Sequence, residues 1–336
     1  MAVQILKLGA LHSDTDMERR EGDYWDLGEF RLRVCEDTDA YKADGSLLFR
    51  FRKAAVPEDS CRTLVCNLRD AAMSKHNNRG AAAGPLSRRK MATYCWDWHN
   101  SSKFRTGYIT KKTGVLSKTG VSNLSPSNII GYYDRRDRND AAGKKCRLTA
   151  FSKKQVSKWE GVIPELRRIS ELFRELVPDR FSVQMQRAQL SPDYTIAGTC
   201  FSTATVNYSW RTASHKDVGD LHEGFGTLLV CEDEGNPNKY SGCCTGFPQY
   251  GVCVDVRNGD FLAMDVHEWH CNTEFVSSQS PRHKFRCLRD GDFENGWYFN
   301  RLAIVCYLRH KMHRCGAEEE ATKDPASHDI LKSNQR

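Results

Sequence analysis

Two stretches decide how we expect the chain to fold: residues 205–225 (TVNYSWRTASHKDVGDLHEGF) and residues 259–272 (GDFLAMDVHEWHCN). The second stretch carries a nearly continuous apolar run after the turn signal Asn258-Gly259, which indicates a strand buried on both faces. Alternate side chains of a strand share a face, so a strand through the first stretch would point His215 and Asp217 the same way. His270, at the far end of the second stretch, could then close on this pair.

These three residues form a candidate metal site. Two imidazoles and one carboxylate on one face of a metal, with the other positions open, are the ligand set of non-heme Fe(II) oxygenases. The sequence therefore predicts a site that activates dioxygen. A His-x-Asp motif alone is weak, because such tripeptides often arise by chance. His267 is an alternative third ligand, and we favour His270.

Arg301 opens a second apolar run, residues 301–307 (RLAIVCY), that indicates another buried strand. A buried guanidinium is costly unless it meets an anion, and its planar fork matches a carboxylate. We therefore predict that Arg301 holds the distal carboxylate of a 2-oxo acid chelated to the iron. Arg286 and Arg282 are the alternative anchors.

The chain resembles the TET/JBP family of nucleic-acid base dioxygenases over about residues 60–310. The resemblance lies in residues 205–225, in residues 251–273 (GVCVDVRNGDFLAMDVHEWHCNT) and in residues 301–308 (RLAIVCYL). It extends to residues 78–84 (NRGAAAG) and 127–135 (SNIIGYYDR). The chain departs from the family pattern by an insertion over Phe275–Asn300, ahead of the arginine.

This resemblance implies a double-stranded β-helix with Fe(II) and 2-oxoglutarate as cofactors. His215, Asp217 and His270 would be the iron ligands, and Arg301 would anchor 2-oxoglutarate. The implied reaction is oxidation of a methyl group on a flipped base of double-stranded, methylated DNA by dioxygen, with 5-methylcytosine favoured. The alternatives are the same chemistry on N6-methyladenine or thymine, or a 2-oxoglutarate oxygenase that acts on a protein or small molecule.

Further side chains are candidates for contacts with cofactor or substrate. Asn207 and Arg211 are close in sequence to the iron ligands and are predicted to contact the 2-oxo acid. The candidates for base or DNA contacts are Asn78, Arg79, Gly80, Tyr132, Asp220 and His222.

The charge distribution indicates a polyanionic partner. Residues 88–154 hold sixteen Lys and Arg against four Asp, although the whole chain carries a net charge of only +7. Lysines and arginines neutralise phosphates, and interleaved aromatic rings suit stacking on bases. We expect this basic stretch to face DNA.

The expected fold is α+β, a double-stranded β-helix (jelly roll) braced by helices, with an N-terminal mixed basic extension. Predicted boundaries are 1–59 for the extension, 60–314 for the dioxygenase domain and 315–336 for a disordered tail. Within the domain, residues 60–154 form the basic part, 155–180 the bracing helices and 181–314 the β-helix. Predicted helices are Ser60–Met73 and Ser152–Leu176; predicted strands are Ser182–Leu190, Thr199–Trp210, Gly226–Cys231, Tyr250–Arg257, Asp260–Val266 and Leu302–Leu308.

The fourteen cysteines are scattered through apolar patterns without paired C-x-x-C motifs, which favours buried thiols in a reducing compartment over structural zinc. The sequence has no apolar run long enough to span a membrane and no leader of the secretory type. We expect a monomer that acts in the nucleus or elsewhere inside the cell and is not secreted.

Overall fold

The computed structural model describes residues 2–96, 108–116, 121–136, 144–277, 299–312 and 315, which form six α-helices and nineteen strands in four sheets. The helices are α1 (Asp14–Arg19), α2 (Glu58–Met73), α3 (Arg88–Thr93), α4 (Ala150–Lys154), α5 (Val156–Leu176) and α6 (Pro178–Ala188). The first ten strands are β1 (Gln4–Leu8), β2 (Leu32–Val34), β3 (Thr38–Lys42), β4 (Leu47–Arg52), β5 (Lys75–His76), β6 (Tyr94–Trp96), β7 (Tyr108–Thr110), β8 (Val115–Leu116), β9 (Ser125–Arg136) and β10 (Lys144–Leu148). The others are β11 (Thr203–Tyr208), β12 (Gly226–Glu232), β13 (Tyr240–Gly242), β14 (Thr245–Phe247), β15 (Val252–Val254), β16 (Phe261–Met264), β17 (Cys271–Asn272), β18 (Phe275–Ser277) and β19 (Arg301–Tyr307).

A ten-stranded sheet dominates the structure, in the order β1-β3-β4-β16-β12-β19-β11-β9-β10 with β5 beside β9. A four-stranded sheet in the order β17-β14-β15-β2 packs on one of its faces through a shared apolar cluster. The long helices α2 and α5 cover the other face. The architecture is therefore mixed α and β, with the central sheet buried on both sides.

Side chains along β19 alternate between the two faces of the central sheet, one packed under the helices and the other lining a cavity. Leu302, Ile304 and Cys306 join the cluster under the helices. Arg301, Ala303, Val305 and Tyr307 point to the opposite face and line a cavity. The strand is almost fully buried, as the sequence predicted, and its period of two separates apolar packing from the polar cavity wall.

One predicted strand is wrong, because Ser182–Leu190 belongs mostly to α6. Pro178 begins that helix, and its fixed φ angle suits a first helical turn. Gln184 and Ala188, four residues apart, are its buried residues, and Nε2 of Gln184 donates to the carbonyl oxygen of Cys200 over 3.2 Å. The spacing of buried residues is thus helical. The helical part of the chain extends to Ala188, beyond the expected limit at residue 180.

Residues 1–59 contribute strands to both large sheets. β4 pairs antiparallel with β16, and β2 pairs in parallel with β15. The segment contains thirteen Asp and Glu but nine Lys and Arg, so the expected basic N-terminal extension is not found here. Their partners, β15 and β16, precede His270 of the candidate metal site in the chain.

The cysteines are mostly free and buried among the described residues. Cys146 and Cys315 form a disulfide, an exception to the expectation of free thiols. Ten other cysteines are free, and eight of these are buried. No α-helix within the described ranges has the length and apolar character needed to cross a membrane.

Phe49 tests whether residues 1–59 are integral to the fold. Its side chain is fully buried and stacks on Phe247 with ring centroids 5.3 Å apart. Phe49→Ala should lower the free energy of unfolding by about 3–5 kcal/mol in urea denaturation, the usual cost of emptying a packed aromatic site. Ile5→Ala, at a position 59% exposed, is the matched control and should change it by less than about 0.5 kcal/mol. Equal stability of the two variants would show that the segment packs loosely.

Candidate metal centre and cavity

His215, Asp217 and His270 are the residues that the structure brings together as potential metal ligands. Nε2 of His215 lies 3.6 Å from Oδ1 of Asp217, and Nε2 of His270 lies 3.6 Å from Oδ2 of the same carboxylate. One ligand atom from each residue lies within 4.8 Å of the others. This grouping matches the two-histidine, one-carboxylate set expected from the sequence.

Backbone pairing positions the three ligands. The amide of His215 donates to the carbonyl of His270 and the amide of His270 donates back, both over 3.0 Å. The amide of Asp217 donates to the carbonyl of Val266 over 2.9 Å. The segment after β11 is thereby tied to the turn between β16 and β17.

The expectation that a single strand carries His215 and Asp217 is wrong. β11 ends at Tyr208, and Ser209 has a φ angle of 52°, a left-handed conformation that interrupts a strand. His215 takes part only in the isolated bridge to His270. The two side chains still converge because the loop is fixed at both ligand positions by backbone hydrogen bonds.

Both imidazoles are oriented with Nε2 available. Nδ1 of His215 donates to the carbonyl of Ala213 over 2.8 Å, and Nδ1 of His270 donates to the carbonyl of Glu268 over 2.9 Å. A hydrogen bond from one ring nitrogen fixes the tautomer and leaves the lone pair of the other for a metal. The donor set therefore fits a divalent transition-metal ion.

Burial and mutual charge shift the pKa of all three residues of the centre. Burial, reinforced by the charge of His270, lowers the pKa of His215 to about 4. Burial alone would raise the pKa of Asp217, but its contact with His270 and the charge of His215 outweigh burial and lower it. Burial acts to lower the pKa of His270, yet Asp217 raises it above the ordinary value. Only the neutral imidazole can bind a metal, so protonation of His270 would compete with metal binding.

His267, the alternative ligand, lies elsewhere. Its Nε2 contacts the carbonyl oxygen of Leu221 at 3.2 Å. Its ring packs edge-on against His222, with centroids 4.8 Å apart. The geometry therefore favours His270 as the third ligand.

A cavity of about 380 Å³ opens beside the metal centre and contains Arg301 in its wall. This volume is within the usual range for small-molecule sites. Arg301 is only 2% exposed, and its Nε and Nη2 atoms have no hydrogen-bond partner among the described residues. An unpaired buried cation is costly, so this guanidinium is suited to an incoming anion. Arg282 and Arg286, its alternatives, lie outside the described residues.

The other predicted cofactor residues differ in position. Asn207 lines the cavity, and its Oδ1 has no partner within the described part of the chain. Arg211 is not part of the cavity wall. Its guanidinium donates to the carbonyls of Asn272 and Trp25 and to the carboxylate of Asp26, at 3.1, 2.7 and 2.7 Å. Arg211 therefore ties the N-terminal segment to β17.

Four of the six predicted substrate residues line the cavity: Asn78, Arg79, Gly80 and Asp220. Burial raises the pKa of Asp220 well above its ordinary range, with a further increase from Asp217 and a partial offset by Arg309. The remaining two are not in the cavity wall. Tyr132 packs edge-on against Tyr194, and His222 against His267.

Sequence reasoning missed Thr245 and Asn272, which also line the cavity. Oγ1 of Thr245 is buried without a hydrogen-bond partner in the described ranges. Oδ1 of Asn272 accepts from Oγ1 of Thr212 over 2.8 Å. Thr245 lies in none of the stretches singled out in the sequence, and Asn272 ends one of them without a signal of its own. Their places in the cavity wall follow from the pairing of β14 with β17, which a local sequence pattern does not indicate.

Two histidines and one carboxylate beside a cavity are typical of the active site of a non-heme iron oxygenase. A family model described as the oxygenase domain of the 2OGFeDO superfamily, Tet_JBP, matches residues 128–310, more than half of the chain. The chain therefore belongs to the Tet_JBP family, and the domain is a 2-oxoglutarate-dependent dioxygenase with Fe(II) and 2-oxoglutarate as its cofactors.

Curated relatives support this membership. The chain is 36% identical over 187 residues to thymine dioxygenase JBP1 of Trypanosoma brucei brucei, covering 55% of this chain and 19% of that protein. It is 35% identical over 234 residues to thymine dioxygenase JBP1 of Leishmania braziliensis, covering 69% and 25%. The chain thus spans about a fifth to a quarter of the length of these relatives. A solved structure, NgTET1 in complex with 5mC DNA, is also similar, with a TM-score of 0.45 and 11% identity over 93% of this chain and 98% of that one.

Metal titration distinguishes the two histidine candidates. His270→Ala should weaken binding of Co(II), a spectroscopic substitute for Fe(II), by at least about tenfold, because one of three protein ligands is lost. His267→Ala is the matched control and should bind Co(II) like the wild type. The change in visible absorption on coordination gives both dissociation constants. Equal affinities of the two variants would contradict the assignment of His270.

Proposed function

We propose that the domain oxidises the C5 methyl group of a pyrimidine in DNA. His215, Asp217 and His270 would bind Fe(II), and Arg301 would hold 2-oxoglutarate. The observation that carries the chemistry is the buried guanidinium of Arg301, two of whose nitrogen atoms have no hydrogen-bond partner in the described part of the chain; it lines the same cavity as the three ligands. The thymine dioxygenases among the relatives support a DNA base as the substrate.

Arg301 supplies the cofactor selectivity in this proposal. Its planar fork can form two parallel hydrogen bonds with one carboxylate, here the distal carboxylate of 2-oxoglutarate. Asn207 and Thr245 line the same cavity and would donate to polar atoms of the cofactor through their amide and hydroxyl groups. The 2-oxo acid would then be held between this wall and the metal centre.

The substrate base must leave the duplex to reach the cavity. Flipping a base costs a few kcal/mol, which contacts in a pocket partly recover. We propose that Asp220 hydrogen-bonds the edge of the flipped base, since its raised pKa favours a protonated carboxyl that both donates and accepts. Asn78, Arg79 and Gly80 line the same cavity and would contact the base or its phosphate.

The reaction balances without a further reductant. Bound Fe(II) and 2-oxoglutarate supply the oxidising chemistry, in which dioxygen gives one oxygen atom to the methyl group and one to succinate as carbon dioxide leaves. The protein residues hold the cofactor, orient the base methyl and exclude water from the cavity. The product would be a 5-hydroxymethylpyrimidine.

Two pyrimidines carry a C5 methyl group, and both remain candidates. Thymine is favoured by the named activity of the relatives. The sequence resemblance favoured 5-methylcytosine, which differs at the Watson–Crick edge and not at the oxidised methyl. The basic stretch over residues 88–154 supports DNA as the polymer in either case.

Architecture and context belong to the same proposal. The ten-stranded and four-stranded sheets, packed through a common apolar cluster, would form the double-stranded β-helix. The domain boundaries, the nuclear location and the monomeric state stay predictions. The tail expected over residues 315–336 lies outside the described residues, apart from Cys315.

Replacing Arg301 should weaken 2-oxoglutarate binding without lowering the stability of the cofactor-free protein. Nε and Nη2 of Arg301 are buried without hydrogen-bond partners among the described residues, so Arg301→Met removes a poorly compensated cation and the cofactor-free variant should melt at or above the wild-type temperature. Its KM for 2-oxoglutarate should rise by at least about 30-fold, the lower end of the cost of leaving a buried charge unpaired. Arg286→Ala is the control for the alternative anchor and should leave this KM unchanged. A normal KM for Arg301→Met would contradict the assignment.

Nucleoside mass spectrometry identifies the base. The protein is incubated with Fe(II), 2-oxoglutarate and duplexes that contain thymine, 5-methylcytosine or N6-methyladenine. We expect a hydroxymethylpyrimidine from thymine or 5-methylcytosine and no demethylation of adenine. The product should disappear in Asp217→Ala. Turnover of none of the three bases by the wild type would contradict the proposal.

A further inference from the structure

The turn that carries His270 is held by a network of charged side chains. This turn, residues 265–270, connects β16 to β17. The amide of Asp265 donates to the carbonyl of Leu48 on β4 over 2.9 Å, and Oδ1 of Asp265 accepts from the amide of His267 over 3.1 Å. The beginning of the turn is therefore fixed to the N-terminal segment.

Glu268 connects the turn to the ring of His270. Its carbonyl oxygen accepts the hydrogen bond from Nδ1 of His270 over 2.9 Å. Any rotation of the Glu268 peptide would tilt the imidazole and move Nε2 away from Asp217. The position of Glu268 thus determines the direction of a metal ligand.

Lys42, at the end of β3, holds the side chain of Glu268 in place. Its Nζ lies 2.7 Å from Oε1 of Glu268 and 3.4 Å from Oδ2 of Asp265. Tyr250 donates from its hydroxyl to Oε2 of Glu268 over 3.0 Å. The Lys42, Asp265 and Glu268 side chains are only 17%, 15% and 18% exposed, so solvent screens them weakly.

The charges make Lys42 the central member of this network. Two carboxylates, those of Asp265 and Glu268, converge on one ammonium group. Without that ammonium, the two anions would repel each other and Glu268 could swing toward solvent. Tyr250 alone offers one neutral hydrogen bond, which is weaker than a charge-assisted one.

The carbonyl that holds the other histidine, His215, belongs to an alanine, whose side chain cannot form an ion pair. Ala213, whose carbonyl accepts from Nδ1 of His215, is held through a backbone hydrogen bond from its amide to the carbonyl of Ala82 over 3.0 Å. The next residue, Ser214, donates from its amide to the carbonyl of Asp23 over 2.9 Å. Main-chain carbonyls orient both rings, but the carbonyl that holds His270 belongs to Glu268, whose side chain is itself fixed by the ion pair with Lys42.

We propose that Lys42 is a positioning residue for the metal centre, acting through Glu268 on His270. This inference rests on the proposed function only in that His270 is a metal ligand. It assigns residues 1–59 a part in metal binding, even though Lys42 itself does not touch the metal.

The test compares Co(II) dissociation constants of Lys42→Met and Lys53→Met. Lys53 is the matched control, because it lies in the same segment and also pairs with a glutamate, Glu36, at 3.2 Å, but is 43% exposed. Lys42→Met should weaken Co(II) binding by about tenfold, the lower end of the range for residues that support a ligand. Lys53→Met should bind like the wild type, and Lys42→Arg should recover most of the loss.

A double-mutant cycle tests the route through Glu268. If Lys42 acts on this carboxylate, Lys42→Met should cause little further loss of Co(II) affinity in the Glu268→Gln background. Tyr250→Phe, which removes one neutral hydrogen bond, should weaken binding less than Lys42→Met. It provides a milder perturbation if Lys42→Met folds poorly, which cofactor-free melting curves will reveal. Additive effects of Lys42→Met and Glu268→Gln would overturn the proposed route.

The outcomes separate this inference from the proposed function. If His270→Ala lowers Co(II) affinity but Lys42→Met and Tyr250→Phe bind like Lys53→Met, only the positioning role of Lys42 is overturned. If His270→Ala leaves Co(II) affinity unchanged, the metal centre and the role of Lys42 both fail. Loss in Lys42→Met with recovery in Lys42→Arg supports the inference.

Discussion

The reciprocal backbone pairing of His215 with His270 is the contact on which the centre depends. Two amide-to-carbonyl hydrogen bonds of 3.0 Å join segments that are distant in the chain. They set two imidazoles side by side, with ring centroids 4.3 Å apart. Asp217 then completes the set from the following turn. Because the ring orientations follow from Nδ1 bonds to main-chain carbonyls, the geometry is specified before any metal binds.

The central sheet makes this arrangement possible by separating two environments. Apolar side chains of β11 and β19 pack under α2 and α5, whereas Asn207 and Arg301 on the same strands face the cavity. Burying Arg301 with two nitrogen atoms unpaired among the described residues costs free energy that the apolar packing of both sheet faces offsets. We interpret this cost as the consequence of keeping a site ready for an anionic cofactor.

The sequence predicted the local features of the site and missed the long-range ones. His215, Asp217, His270 and Arg301 could be singled out because metal and carboxylate chemistry restricts residue types; the structure places them around one cavity, and their roles as ligands and anchor stay predictions. Strands β16 and β19 could be predicted because their apolar runs are continuous. The position of Thr245 in the cavity wall could not be predicted, since it depends on strand pairing and not on a motif. The guanidinium of Arg211 could bind a carboxylate of a cofactor, but it already donates hydrogen bonds to main-chain carbonyls and to Asp26.

The proposed function couples 2-oxoglutarate decarboxylation to oxidation of a pyrimidine methyl group in DNA. Turnover under dioxygen labelled with the heavy oxygen isotope tests it most directly, with mass spectrometry of both succinate and the nucleosides. The proposed reaction places one labelled oxygen atom in succinate and one in the hydroxymethyl group, in equal amounts. Labelled succinate with no labelled pyrimidine would contradict it, because the oxygenase would then act on something other than a DNA pyrimidine.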